Sequence, residues 1–255
     1  MKKEEIELDF EGRVPVFKSL VGSHNYNLNT AESDKDYKLF VLPKFDDLYN
    51  NFSFAKSYIG ETEDYDIHDI RKCSSLWYKA NVNFLEVLFS NNLEINENLS
   101  EKSKKIILEL ISMRDSIATM HLSYLYAACI GMYKTKTKYL YKGTEGTKNL
   151  VLKYGYDTKQ AMHSIRILDF LRRFYNNEFT DFKEAIHYKN DDPIRKFLLD
   201  IKAGKYLLND FHEMSQRVLE DTEKRYKGKY DSFKLDEATN NRIVELIKEL
   251  VKINI

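Results

Sequence analysis

The chain has 255 residues with 40 basic and 40 acidic side chains, so net charge argues for neither nucleic acid nor a membrane surface as a general partner. Its two cysteines, Cys73 and Cys129, fit no CxxC pattern and exclude a disulfide framework or a zinc knuckle. No run approaches the roughly 18 apolar residues of a membrane span, and acids follow Lys2 and Lys3 where a signal peptide needs an apolar stretch; a cytoplasmic protein is expected.

The charge is unevenly spread. Residues 1–70 carry eight basic and fifteen acidic side chains, whereas residues 134–173 carry ten basic and three acidic. In chain order, "VPVFKSLV" (14–21) is rich in β-branched and aromatic residues and reads as a strand ending at Gly22. "DYKLFVL" (36–42) reads as a second strand, halted by Pro43. In "DIHDIRKCSSLWYKA" (66–80), Ile67, Ile70, Ser74 and Trp77 recur at helical spacing. "NVNFLEVLFS" (81–90) reads as a buried strand. Beyond residue 100 the segments are long, amphipathic and poor in proline, and "DTKQAMHSIRILDFLRRFYNNE" and "DEATNNRIVELIKELVKI" predict helices. The expected fold is α+β, a mixed-sheet core over residues 1–100 followed by a mostly helical region over 101–255.

Chemistry concentrates in "VGSHNYNLNTAESDKDYKLFVL". Residues two apart on a strand share a face, so Asp34 and Asp36 would set two carboxylates side by side. Like charges so close favour a cation between them, and oxygen donors of this kind suit Mg²⁺ or Mn²⁺ held together with substrate phosphates. Glu86 sits inside the apolar run "NFLEVLF" and needs a metal or cation if buried. If its strand lay beside that of Asp34, three carboxylates could hold two divalent ions. Turn chemistry alone also accounts for a DxD, and an edge strand would leave Glu86 in solvent. Gly22 permits close backbone approach to a phosphate and Ser23 supplies a hydroxyl donor, although a tight turn would equally use the glycine.

Gly22-Ser23, then Asp34-x-Asp36, then a later acid at Glu86 resembles the active-site pattern of the DNA polymerase β nucleotidyltransferase superfamily. Within it, "GSHNYNLNTAESDKDYKLFVLP", "NVNFLEVLFS" and "YGYDTKQAMHSIRIL" resemble a bacterial and phage nucleotidyltransferase family found with RNA-repair genes, over residues 14–175. The resemblance implies a polymerase β-like catalytic core that transfers a nucleoside monophosphate from a nucleoside triphosphate to an acceptor hydroxyl. Asp34, Asp36 and Glu86 would hold two Mg²⁺ or Mn²⁺ ions, and Gly22, Ser23, His24 and Ser33 would contact the nucleotide. His24 and Asn27 stand where arginine and glycine are usual; asparagine tolerates left-handed backbone angles, so the loop can survive. An RNA end or a protein could be the acceptor. A nucleotide-binding module without turnover is the third reading, and neither the base nor the oligomeric state is legible.

Two further stretches bear on ligands. Asp157 or Thr158 can cap a helix on which Lys159, His163 and Arg166 fall at i, i+4 and i+7. That face reads either as a cationic clamp for the triphosphate, brought over the carboxylates by the helical half, or as a solvated basic face. In "MYKTKTKYLYKGTEGTKNLVLKY", Lys134, Lys136, Lys138, Lys142, Lys148 and Lys153 are interleaved with Tyr133, Tyr139, Tyr141 and Tyr154. Cations along a backbone with aromatics for stacking suit a single-stranded RNA acceptor, and a solvated lysine-rich loop is the plain alternative.

Overall fold

The computed structural model describes residues 7–255, so the Lys2–Lys3 pair and the acids after it lie outside the described residues. Five strands form one mixed sheet: β1 (Pro15–Val21), β2 (Lys35–Val41), β3 (Ala55–Ile59), β4 (Glu63–Asp69) and β5 (Leu93–Ile95), in spatial order β3-β4-β2-β1-β5. β1 is antiparallel to β2 and β5, and β3 is antiparallel to β4. β4 runs parallel to β2, in a register that sets Asp64 opposite Asp36. Helices dominate after residue 100, and the fold is α+β as expected.

Two local expectations are corrected. The stretch 66–80 is not one helix: Asp66–Asp69 end β4, and the helix is Lys72–Tyr78. The stretch 81–90 is not a strand but the helix Val82–Leu85 running into a 3₁₀ turn, Glu86–Phe89. All four residues of that turn are buried, and a short apolar run buried on every side has no periodicity to separate strand from helix.

One sheet face packs Leu39, Val41 and Ile67 with Phe54, and Leu8, Phe10 and Tyr58 close over them. The Arg13 guanidinium lies 4.1 Å from the Phe54 ring and grips Asp47 through two hydrogen bonds of 2.7 and 2.6 Å. On the other face Phe84 packs on Phe40 and His68, and its carbonyl accepts a hydrogen bond from the Trp77 indole.

The chain divides into two compact units, Met1–Met120 with Asp236–Ile255, and His121–Leu235. The C-terminal helix belongs to the first unit. Glu237–Lys252 packs there against Glu101–Ser112 and Lys72–Tyr78, and its Arg242 meets Glu109 at 2.6 Å. In the second unit the helix Thr158–Asn176 is surrounded by Leu122–Lys138, Phe182–Ile186, Pro193–Lys202 and Leu208–Asp231. Twelve of its nineteen residues are buried, as befits a helix enclosed on several sides. No helix among the described residues is long and apolar enough to cross a membrane.

Candidate active site

The Gly-Ser stretch follows β1 directly. Val21 pairs with Asp36 across the sheet, Gly22 turns with φ +68°, and Gly22–Tyr26 makes one short helical turn. A Cβ on residue 22 would stand 2.6 Å from Asp36 Oδ2. Both the backbone angle and this approach therefore require glycine. Asn27 closes the turn in the left-handed region at φ 60°, ψ 39°, donating its N–H to the Ser23 carbonyl, so asparagine serves here where glycine is usual. His24 Nε2 donates to the Ser33 carbonyl at 3.1 Å, and Ser33 Oγ accepts from Thr30 N–H at 2.9 Å. These hydrogen bonds tie the glycine turn to the loop that delivers Asp34, which is exposed at the entrance of β2.

Glu86 is placed differently from expectation. It is 2% exposed in the 3₁₀ turn, where its Oε1 accepts from the Tyr26 hydroxyl at 2.5 Å and its Oε2 from Gly22 N–H at 3.2 Å. The Asn25 amide approaches the same Oε2 at 3.5 Å, and Asn25 Oδ1 in turn accepts from Asn91 N–H. Protein donors thus satisfy both oxygens of this buried carboxylate. The expected convergence of Asp34, Asp36 and Glu86 is not found: among the described residues no three His, Cys, Asp or Glu side chains are grouped so as to hold an ion. Glu86 instead anchors the turn that carries Gly22, and Tyr26 and Asn25 are its supports.

The carboxylate nearest Asp36 in register is Asp64, on the neighbouring strand. The next acid along β4, Asp66, is already engaged by Lys38 Nζ and His68 Nε2, each at 2.8 Å. Burial works to raise the Asp66 carboxyl, but the hydrogen bonds from His68 and Lys38 outweigh it and hold the group well below the usual carboxylate range. Asp64 is hidden in the sequence because "EDYDIHD" offers few buried apolar positions, Ile67 above all; its signal is the alternation of acids at 64 and 66.

In the second unit, Asp157 caps the helix Thr158–Asn176, its side chain accepting from Gln160 N–H at 2.9 Å. Lys159, His163 and Arg166 run from solvent inward along one side: Lys159 is exposed, His163 partly buried and Arg166 2% exposed. Burial pushes the His163 imidazole well below its ordinary value, and Arg166, Lys136, Lys159 and Lys202 push it further. Lys136 and Lys202 come from other helices, beyond the reach of spacing within one segment. Lys136 meets Gln160 Oε1 at 2.8 Å, and Lys202 ends the helix Pro193–Lys202.

A comparison with curated proteins gives no match. Among solved structures, a nucleotidyltransferase-like protein from Exiguobacterium sibiricum 255-15 is similar over 96% of this chain and 70% of that chain, at 10% identity and a TM-score of 0.28, too distant for its geometry to be carried over. The sequence profile of one family matches residues 3–228. With that match over most of its length, the chain belongs to RlaP, the RNA repair pathway DNA polymerase beta family.

Proposed function

We propose that this chain is a metal-dependent nucleotidyltransferase that moves a nucleoside monophosphate from a nucleoside triphosphate to an acceptor hydroxyl, the end of an RNA strand. The observation that carries the reading is the glycine turn abutting the Asp34-x-Asp36 strand, with Gly22 shaped to Asp36 Oδ2. Asp34 and Asp36 would hold the divalent ions, with Asp64 beside Asp36. This donor set fits Mg²⁺ or Mn²⁺, which commonly take one or two carboxylates and complete their shell with water and substrate phosphates. Bound there, two such ions would activate the acceptor hydroxyl and neutralise the departing pyrophosphate.

The chain's own groups supply the rest. The acceptor oxygen bonds to the α-phosphorus as the bond to the bridging oxygen breaks; pyrophosphate leaves, and the hydroxyl proton passes to solvent. Ser23 offers its hydroxyl to the phosphates, while the Gly22 N–H is committed to Glu86 and fixes the turn rather than the ligand. His24 and Ser33 hold the loop before Asp34 through their mutual hydrogen bond. The basic face of Lys159, His163 and Arg166 lies in the second unit. Positioning and charge neutralisation then account for the rate. A cytoplasmic setting agrees with Cys73 and Cys129, which are buried free thiols.

Incubating the protein with each labelled nucleoside triphosphate and Mg²⁺, with RNA or with a protein lysate, tests the proposal. Label should appear on RNA, and Asp36→Asn should abolish it with the fold intact. Label on protein instead would establish protein nucleotidylylation, and near-normal turnover in Asp34→Asn or Asp36→Asn would overturn the metal assignment.

A further inference from the structure

The C-terminal end of the helix Thr158–Asn176 carries two polar atoms that the protein leaves unmet. Arg173 spends its terminal nitrogens on neighbours: Nη1 donates to Asp192 Oδ2 at 2.8 Å, and Nη2 donates to the carbonyls of Glu184 and His187. The Tyr188 ring, its centre 4.5 Å from Cζ, holds the guanidinium in place. Arg173 Nε is buried and has no hydrogen-bond partner among the described residues. Asn177, at the helix cap, donates its side-chain N–H to the Asp181 carbonyl at 2.7 Å, which fixes the orientation of the amide. Its Oδ1 is buried and also without a partner among the described residues. Residues four apart on a helix are neighbours on one side of it, so an unmet donor lies beside an unmet acceptor. Buried polar atoms are rarely kept in that state, because leaving a hydrogen bond unmade costs more than making one gains.

Both residues line a cleft of about 460 Å³ between this helix, Phe182–Ile186 and the start of Pro193–Lys202. Ala185 and Pro193 give it apolar wall. The charged groups around it are Arg173 and Lys189 against Glu184, Asp191 and Asp192, three acids to two bases. Arg173 is already paired with Asp192, so the cleft disfavours a phosphate group and suits a neutral ligand.

We infer that this cleft binds a nucleoside through the pairing edge of its base, one N–H donating to Asn177 Oδ1 and the adjacent oxygen or ring nitrogen accepting from Arg173 Nε. Such an edge sets a donor and an acceptor side by side in one plane, which is what the two atoms require, and it is free for protein groups when the base is unpaired. That the ring is a nucleobase rests on the RNA reading of the transfer reaction; the demand for an adjacent donor and acceptor does not.

Nitrogen-15 NMR of the full chain, without metal or triphosphate, tests this on the Arg173 Nε–H and Asn177 side-chain signals. Both should shift and saturate with uridine. 3-Methyluridine, whose methyl replaces the N–H between the two carbonyls, should bind more weakly by roughly tenfold or more, because it leaves Asn177 Oδ1 unmet. Stacking on an exposed tyrosine does not separate these two nucleosides, so the difference reports the edge. Uridine 5′-monophosphate should bind no better than uridine, since its phosphate meets the acids. Asn177→Ala should weaken uridine to a similar degree and bring the two nucleosides level.

No saturable shift with uridine, equal affinity for 3-methyluridine, tighter binding of the monophosphate, or parental discrimination in Asn177→Ala would overturn the site. The nucleoside pair decides alone where the variant does not fold. Label transferred to RNA by a protein that binds no uridine would remove this site and leave the transfer reading standing. Discrimination against 3-methyluridine in a protein that labels only protein would keep the site and remove the RNA reading.

Discussion

Gly22 leaves room for Asp36: the hydrogen it carries in place of a side chain faces a carboxylate oxygen that a Cβ would approach to 2.6 Å. The antiparallel pairing of Val21 with Asp36 fixes that approach, because the strand register admits no sideways adjustment without moving every neighbouring pair.

Gly22→Ala should therefore do two things. The left-handed angle of +68° adds a strain of about 1–2 kcal/mol for a residue with a Cβ, readable as a lower urea midpoint. The new methyl also pushes the Asp36 side chain from its position, so transfer should fall much further than stability. A folded Gly22→Ala protein with parental turnover would show that the placement of Asp36 is irrelevant to the reaction.

Glu86 separates two roles that its sequence context confuses. As the acceptor for Tyr26 O–H and Gly22 N–H, it should be a stability determinant. Glu86→Gln keeps the shape but replaces one acceptor oxygen by a donor, leaving a buried mismatch that destabilises by about 1–3 kcal/mol. Tyr26→Phe should lose less, about 1 kcal/mol. Mg²⁺ affinity should be nearly unchanged in both variants, whereas a metal ligand would lose affinity with little effect on unfolding. Equilibrium unfolding and Mn²⁺ binding followed by electron paramagnetic resonance, measured on the same samples, distinguish the two.

The parts of this site that can be read from the sequence are those set by local chemistry. A glycine after an apolar strand, a DxD at the next strand and an aspartate cap are short-range features, and the structure keeps Gly22, Asp36 and Asp157 in those places. What stays hidden depends on neighbours far along the chain. β3 and β4, "AKSYI" and "EDYDIHD", alternate weakly, and of their twelve residues only Ile67 and Asp69 are buried; Asp64 is invisible as a partner of Asp36 for that reason. Glu86 reads as a strand residue because burial on every side erases the period of its segment. Lys136 sits among exposed lysines in the sequence, and only the packing of its helix on Thr158–Asn176 turns it toward Gln160. The amphipathic C-terminal helix is plain; its return to the first unit is not.

The same packing sorts the tyrosines and lysines of the stretch proposed to meet an RNA acceptor. Tyr133 is 4% exposed and belongs to the core, whereas Tyr139 and Tyr141 are 44% and 62% exposed. The ammonium groups of Lys138 and Lys142 lie 5.2 and 5.6 Å from the Tyr139 ring centre. A base stacked on such a ring, with cations at its edges for the flanking phosphates, gains about 1–3 kcal/mol. Lys148 is also exposed and extends the cationic track. Replacing Lys138, Lys142 and Lys148 together by glutamine should flatten the slope of log affinity for single-stranded RNA against log salt by about 0.7 for each phosphate that the surface no longer neutralises. Tyr139→Ala should weaken binding at every salt concentration and leave that slope alone, because stacking releases no counterions. A salt slope identical to the parent's, or a parent protein that binds no RNA, would move the acceptor from RNA to protein and leave this surface a solvated, tyrosine-studded face.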